Sequence, residues 1–282
     1  MKCVSELYNR YPDSDIYVIG TGPSLRVFPL SLLADKITIG LNMAWKTLPV
    51  KYSITIHPNL AIPEFLEGES AHPDITWITK HQKTASLVSP QQLEYAEQHF
   101  YFFDSFGKKN LQPPGEPSDS GRILDWVRQP QGNRLYMWSS ISQAGVNLAA
   151  NMGAKNIILI GCDNCALGQN HHAHKQHAQW VGADPNHRYR QYYEGLSEIR
   201  TVLRERGISL VSMNPFLTLA EPNSDFIHLC QELDKPELIA LGADISRKFG
   251  TDDYVQYYKR QMNERFYHFK QSVKGILYRK GT

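Results

Sequence analysis

The sequence has few cysteines, no long apolar run and almost no net charge. Four cysteines among 282 residues are too few for a disulfide-based scaffold, so we expect reduced thiols in a cytoplasmic protein. No stretch approaches the length of a membrane span, and the opening residues, MKCVSELYNR, lack the apolar core of a signal peptide. A formal net charge of +2 does not indicate nucleic-acid binding. The length suits one large domain, or one domain with an appendage.

Apolar runs of strand length alternate with helical patterns along the chain. Predicted strands follow Asp15 and cover residues 37–41, 52–56, 75–78, 156–160 and 208–213, with 100–103 as a further candidate. Predicted helices end at Gly153 and Gly207, which are good C-terminal caps. Strand, helix and strand in this order predict right-handed crossovers and a mostly parallel sheet with helices on both faces. The sequence therefore predicts a Rossmann-like α/β domain.

The composition changes near residue 232. Apolar and aromatic residues recur at helical spacing from Tyr254 to Val273, with several lysines and arginines nearby. We therefore predict a Rossmann-like domain over residues 1–231 and a C-terminal helical extension over 232–282. The extension is expected to pack on the main domain or on a second subunit of a homo-oligomer, and contact with a membrane surface is the less favoured alternative.

The first predicted strand runs into a glycine turn with the sequence GTGPS. Gly20 and Gly22 allow backbone angles that a side chain would forbid and permit close approach of a ligand. Pro23 suits the first position of a helix, and Ser24 adds a hydroxyl. Free N–H groups between residues 20 and 24 and the positive end of the following helix are then expected to face a phosphate. A third glycine, an acidic residue closing the second strand and a P-loop lysine are all lacking, which disfavours NAD enzymes and P-loop kinases.

Polar residues follow the predicted strands at their carboxyl ends. Asn42, Asn59 and Asp163 each lie just beyond a strand, where ligands bind in open α/β sheets. The asparagines could contact sugar hydroxyls or base edges, or could simply hold their own loops as Asx turns. The two interpretations are about equally supported.

The stretch from Asp163 to His187 is rich in histidine, the side chain best matched to proton transfer near neutral pH. Most of these histidines are expected to be solvated loop residues, and one or two to be functional. A zinc site built on the C-x-x-C pair Cys162 and Cys165 with His172 and His174 is the less favoured alternative, because a lone C-x-x-C is a weak signal.

The motifs together resemble two related groups of transferases. GTGPSL, LNMAW, IHPNL, SQAGVNLAANMGAKNIILIGCD and SLVSMNP follow in the same order as in the bacterial Rossmann-type sialyltransferases. They also resemble the motility-accessory glycosyltransferases, which share a domain with hydroxymethylpterin diphosphokinases. The resemblance covers most of residues 15–222.

The resemblance implies a nucleotide bound at the glycine turn and a metal-free reaction with a CMP-sugar. By position, the nucleotide site would be lined by Gly20, Thr21, Gly22, Pro23, Ser24, Asn42, Asn59, Ser142, Gln143, Ala144 and Asp163. A histidine, His187 or His172, would be the general base. Tyr189 and Arg190 are candidates for stabilising the departing phosphate, since the tyrosine pair of the sialyltransferases is absent from residues 164–170.

Three functions follow as hypotheses. The first is a glycosyltransferase that moves a sialic-type (nonulosonic) sugar from CMP to a hydroxyl acceptor without a cofactor. The second is a Mg²⁺-dependent diphosphokinase, in which Asp163 would help to hold the metal. The third is a nucleotide-binding protein without catalysis.

Overall fold

Parallel strands form one sheet through the described part of the chain. The computed structural model describes residues 1–62, 65, 74–105, 123–164, 173, 185–214 and 235–248, with the backbone alone at 60, 185–190, 242 and 245–248. Its strands are β1 (Lys2–Cys3), β2 (Ser14–Ile19), β3 (Ile37–Leu41), β4 (Tyr52–Thr55), β5 (Thr76–Lys80), β6 (Tyr101–Phe103), β7 (Ala154–Ile160) and β8 (Ser209–Ser212).

Helices connect these strands or follow them. The α-helices are α1 (Pro58–Ala61), α2 (His81–Ala85), α3 (Pro90–His99), α4 (Asp125–Arg128), α5 (Ile141–Asn151), α6 (Pro185–Glu205) and α7 (Pro236–Lys248). Short 3-10 helices cover Val4–Leu7, Pro23–Arg26, Leu30–Leu33 and Ala44–Lys46. The predicted caps are confirmed, because Gly153 after α5 and Gly207 after α6 both adopt positive φ.

The sheet has the order β1-β6-β5-β4-β3-β2-β7-β8 among the described strands, and every neighbouring pair is parallel. After β2 the chain builds outward through β3, β4, β5 and β6, then returns to place β7 and β8 on the other side of β2. This reversal creates a topological switch point between β2 and β7. The predicted Rossmann-like α/β architecture is confirmed.

Both faces of the sheet are covered. Ile16 and Val18 of β2 pack into a core with α4, α5 and α6. Tyr17 and Ile19 pack into a second core with α7 and the last three of the 3-10 helices. Because successive residues of a strand point to opposite faces, double coverage requires continuous apolar runs, which explains why the central strands were predictable.

The start of the predicted C-terminal extension packs against the sheet. Leu238 of α7 is buried in the second core, and Lys235, just before α7, forms a 2.6 Å ion pair with Asp15 of β2. The side-chain Nδ2 of Asn156 donates a hydrogen bond to the same carboxylate at 2.7 Å. The boundary at residue 232 and the helix over 254–273 lie outside the described residues, so the division into two domains stays a prediction. None of the described helices has the length and apolar character needed to cross a membrane.

The ion pair of Asp15 predicts that the docking of α7 depends on pH. Burial raises the pKa of Asp15, but the hydrogen bonds from Lys235 and Asn156 and the charges of Lys235 and Lys36 outweigh it, so the pKa lies below its ordinary value. A lowered pKa in the folded state gives a stabilisation that is present above the unfolded pKa of about 4 and is lost as the pH falls through the folded value.

We therefore expect Asp15→Asn to destabilise the protein by about 1 kcal/mol at pH 7. The difference from the wild type should shrink as the pH falls below about 4. Chemical denaturation across this pH range measures the difference in the free energy of unfolding. Hydrogen exchange in residues 236–248 reports whether α7 becomes less stably packed. Asp125→Asn, which alters an exposed pair with Arg128, is the control. A difference that is the same at every pH would contradict the assignment to Asp15.

Candidate functional site

The carboxyl edge of the sheet carries the candidate site. Asn42 follows β3, Asn59 lies in α1 just after β4, Asp163 and Asn164 follow β7, and Asn214 follows β8. Since all these strands are parallel, these residues lie along one edge, on both sides of the switch point. Helices that connect parallel strands run back across the sheet, so α5 and α6 also begin at this edge.

The glycine turn hydrogen-bonds to the turn after β7. The Gly20 amide donates to Ile160 O and the Gly22 amide to Gly161 O, both at 2.7 Å. The Ser24 amide donates to Oδ2 of Asp163, also at 2.7 Å. The expectation that these three N–H groups are free to bind a phosphate is therefore wrong, because the protein itself supplies their acceptors.

The glycines serve close packing between the two turns. Gly22 has φ −67° and ψ 163°, which any residue can adopt, so no unusual backbone angle requires glycine there. A Cβ atom at Gly22 would instead lie 2.7 Å from Gly161 O, and one at Gly20 would lie 2.3 Å from the same oxygen. Pro23 takes the first position of the helix that follows, as predicted, but this 3-10 helix has only 4 residues.

Asp163 links three segments of the chain. Its carboxylate accepts hydrogen bonds from the amide and the hydroxyl of Ser24 and from Nδ2 of Asn214 at 3.3 Å. The residue is 2% exposed. Both carboxylate oxygens thus accept hydrogen bonds from protein donors, and the Mg²⁺ ligation that the diphosphokinase hypothesis requires of Asp163 stays a prediction.

Cys162 belongs to the hydrophobic core. Its Sγ donates to Val18 O at 3.8 Å, and the residue is buried in the core cluster of α5 and α6. Burial, with a smaller effect from the charge of Asp163, raises the pKa of the thiol well above its usual range, so it stays protonated and is a poor zinc ligand. Cys165, His172 and His174 lie outside the described residues. Within the described ranges, no three histidine, cysteine or acidic side chains are grouped to hold a metal ion.

Asn42 is held in one orientation by its neighbours. It adopts the left-handed conformation with φ 52°, which asparagine tolerates better than most residues. The Thr55 hydroxyl donates to Oδ1 of Asn42 at 2.9 Å and accepts from the His57 amide at 3.0 Å. Because Oδ1 is engaged, the Nδ2 group points away from Thr55, and it makes no hydrogen bond to a described residue.

Two further asparagines each keep a buried, unpaired amide atom. Oδ1 of Asn59 and Nδ2 of Asn164 have no hydrogen-bond partner among the described residues. Burying such an atom without a partner costs about 1–3 kcal/mol, so each is a position where a polar ligand atom would be stabilised. Asn164 was not predicted as a site residue, although its place just beyond a strand is the signal that identified Asn42.

The predicted Ser142-Gln143-Ala144 segment forms the first turn of α5. Gln143 is fully buried; its Oε1 accepts from the backbone N–H groups of residues 138–140, and its Nε2 donates to Gln191 O. Ser142 bonds to the Ser140 hydroxyl at 2.7 Å, and Ala144 is buried in the core. The segment therefore fixes the start of α5 against α6, and its contact with a nucleotide stays a prediction.

The candidate catalytic residues are only partly described. His187, Tyr189 and Arg190 lie in the first two turns of α6, at the carboxyl edge, but their side chains are outside the described part. Their helix is positioned there by the bond between Gln143 and Gln191. This placement is compatible with the predicted roles.

His172 lies outside the described residues, but the next residue is anchored at the glycine turn. The Ala173 amide donates to Thr21 O, and Nε of Arg26 donates to Ala173 O, both at 2.7 Å.

No family model and no curated protein matches the sequence. Among solved structures, the chain is similar to the sialyltransferase CstII from Campylobacter jejuni in complex with CMP-3FNeuAc, with 14% identity, TM-score 0.42, and coverage of 73% of this chain and 84% of that chain. A CstII variant in complex with CMP gives 14% identity, TM-score 0.42 and coverage of 75% and 87%. CstII with cytidine-5'-monophosphate gives 13% identity, TM-score 0.41, and coverage of 74% of this chain and 84% of that chain. These likenesses are distant, and the parallel α/β fold is established by the strand register itself.

Proposed function

We propose that the protein is a glycosyltransferase that moves a sialic-type sugar from a CMP donor to a hydroxyl acceptor. The observation that carries this proposal is the pair of side-chain amides of Asn42 and Asn59, which lie beyond the ends of neighbouring strands. Asn42 offers a donor that is held in place, and Asn59 offers a buried acceptor that lacks a partner. The order of sequence motifs, from GTGPSL to SLVSMNP, supports the choice of this class.

The geometry of the pair suits a nucleoside. The ends of β3 and β4 are adjacent in the sheet and therefore about 5 Å apart. A donor and an acceptor that lie beyond neighbouring strand ends can complement the edge of a base such as cytosine, or the two hydroxyls of a ribose. The fixed rotamer of Asn42 reduces the entropy that binding would cost.

Transfer then needs a base and stabilisation of the leaving phosphate. His187 or His172 would take the proton from the acceptor hydroxyl. Tyr189 and Arg190, at the start of α6, would hold the phosphate as it leaves. The Gly20, Gly22 and Ser24 amides are not assigned this task, because each already has an acceptor. No metal ion is needed in this scheme.

Titration calorimetry with CMP, UMP and ATP, with EDTA or with Mg²⁺, tests the proposal. We expect CMP to bind in EDTA, and ATP to bind more weakly with or without Mg²⁺. Asn42→Asp keeps the acceptor for Thr55 but loses the outward donor, so CMP should bind at least about 10-fold more weakly, which corresponds to one lost hydrogen bond. Asn9→Asp, at another residue with positive φ but an exposed one, is the matched control.

Release of CMP from CMP-sialic acid with a hydroxyl acceptor tests the chemistry. Substituting alanine for the histidine that acts as base should lower kcat by at least about 100-fold with little change in donor affinity. Unchanged rates in both the His172→Ala and the His187→Ala variants would remove the role of base from these two residues. Tight CMP binding without turnover would favour the non-catalytic nucleotide-binding protein, and Mg²⁺-dependent use of ATP would favour the diphosphokinase.

A further inference from the structure

Asn164 stands out among the residues around the switch point. It directly follows Asp163 at the end of β7, the strand that pairs with β2 across the switch point. It is 6% exposed, and its Nδ2 has no hydrogen-bond partner among the described residues. A buried donor without an acceptor is uncommon in folded proteins and requires an explanation.

The nearby acceptor groups of the protein do not form a hydrogen bond with Nδ2 of Asn164. The carboxylate of Asp163 already accepts from Ser24 and Asn214, and Gly161 O accepts from the Gly22 amide. Asn164 itself adopts the left-handed conformation with φ 53°, which fixes the direction of its Cβ. The side-chain amide is therefore held at the switch point, buried and without a hydrogen-bond acceptor among the described residues.

Because of the same contacts, the backbone N–H groups of the glycine turn are not available as donors to an anion at the switch point. The amides of Gly20, Gly22 and Ser24 are engaged within the protein. Asp163 also places a carboxylate where a phosphate would otherwise meet the Ser24 amide. An anionic ligand at this edge thus needs a side-chain donor, and Asn164 supplies one.

We infer that Asn164 is a specificity-determining residue whose Nδ2 donates to an anionic oxygen of the donor substrate. That oxygen belongs either to the phosphoryl group or to the carboxylate of the sugar. The inference rests on the proposed function and deepens it, because it assigns to β7 the recognition of the charged part of the substrate.

The spacing of the strands agrees with this assignment. Two strand spacings separate β3 from β7 in the sheet, so the ends of these strands, beyond which Asn42 and Asn164 lie, are about 10 Å apart. That distance suits a nucleoside monophosphate bound with its base near Asn42 and its charged end near β7. A free phosphate would not reach both positions.

Two substitutions at Asn164 test the inference without altering the backbone. Asn164→Gly removes the donor and adopts positive φ without strain, whereas Asn164→Asp keeps the shape and replaces the donor by a charged acceptor. Asn9→Gly and Asn9→Asp make the same changes at an exposed residue with φ 54°. Calorimetry with cytidine, CMP and CMP-sialic acid then compares each variant with the wild type.

We expect Asn164→Gly to weaken CMP-sialic acid binding about 5-fold to 10-fold, and Asn164→Asp to weaken it more than 10-fold, since repulsion is added to the lost bond. Cytidine binding should not change, and the Asn9 variants should match the wild type. A loss already present with CMP identifies the phosphoryl oxygen, and a loss only with CMP-sialic acid identifies the sugar carboxylate. If Asn164→Asp does not fold, the Asn164→Gly comparison decides alone.

The outcomes separate the inference from the proposed function. If the wild type binds CMP and CMP-sialic acid and the Asn164 variants bind them equally well, Asn164 contacts only water and the inference is wrong, while the proposed function stands. If cytidine is weakened as much as CMP, the contact is not to an anionic oxygen. If the wild type binds none of the three compounds, both proposals fail.

Discussion

We expect the free energy of unfolding of the Asp163→Ala variant to be at least about 3 kcal/mol lower than that of the wild type. The substitution leaves the Ser24 amide, the Ser24 hydroxyl and Nδ2 of Asn214 without their shared acceptor at a site that is 2% exposed. Each buried donor left unpaired costs about 1–3 kcal/mol. The Ser24 hydroxyl can rotate to another acceptor, but the backbone amide cannot.

Denaturation with urea, without any ligand, measures the effect. Asp125→Ala is the matched control, because Asp125 is largely exposed and forms a surface ion pair with Arg128. We expect this substitution to lower the free energy of unfolding by less than about 1 kcal/mol. Asp163→Asn should also destabilise, since its NH₂ group would face donors. The diphosphokinase hypothesis predicts the opposite pattern, in which Asp163→Asn folds normally and loses only its Mg²⁺-dependent activity.

The strands of the central sheet were predictable because both faces of each strand are buried. Residues 37–41 were predicted as a strand and form β3 with the same bounds, and the run 156–160 lies within β7. By contrast, β1 has 2 residues at the edge of the sheet, too few to show an apolar pattern, and it was missed. It exists because it pairs with β6.

Local sequence could locate the candidate site but could not show which of its polar groups are engaged. Asn42 was correctly placed at the end of β3 and Asn59 shortly after β4, since the end of an apolar run is visible in the sequence. The acceptor of the Ser24 amide is Asp163, 139 residues later in the chain, and only the folded sheet brings them together. The same long-range contacts leave the amide of Asn164 unpaired, so neither the engaged turn nor the available donor could be derived from the GTGPS motif.

The role of the glycines leads to the second large effect. Gly20→Ala is expected to destabilise the protein by about 3 kcal/mol or more, at the upper end of the costs of overpacking. Its Cβ would lie 2.3 Å from Gly161 O and 2.8 Å from Gly161 C. These are backbone atoms of the neighbouring turn, so they cannot rotate away, and the turns after β2 and β7 would have to separate.

Gly132→Ala provides the comparison, because Gly132 has φ +55° and nothing within 4 Å of an added Cβ. That variant tests backbone strain alone, and its free energy of unfolding should be lower than that of the wild type by about 1 kcal/mol. If Gly20 were needed only for the approach of a ligand, Gly20→Ala would fold with wild-type stability and fail to bind CMP. Destabilisation in urea without ligand, well beyond that of Gly132→Ala, would instead show that the glycine turn supports the site by packing against β7, which leaves the anion to be bound by side chains.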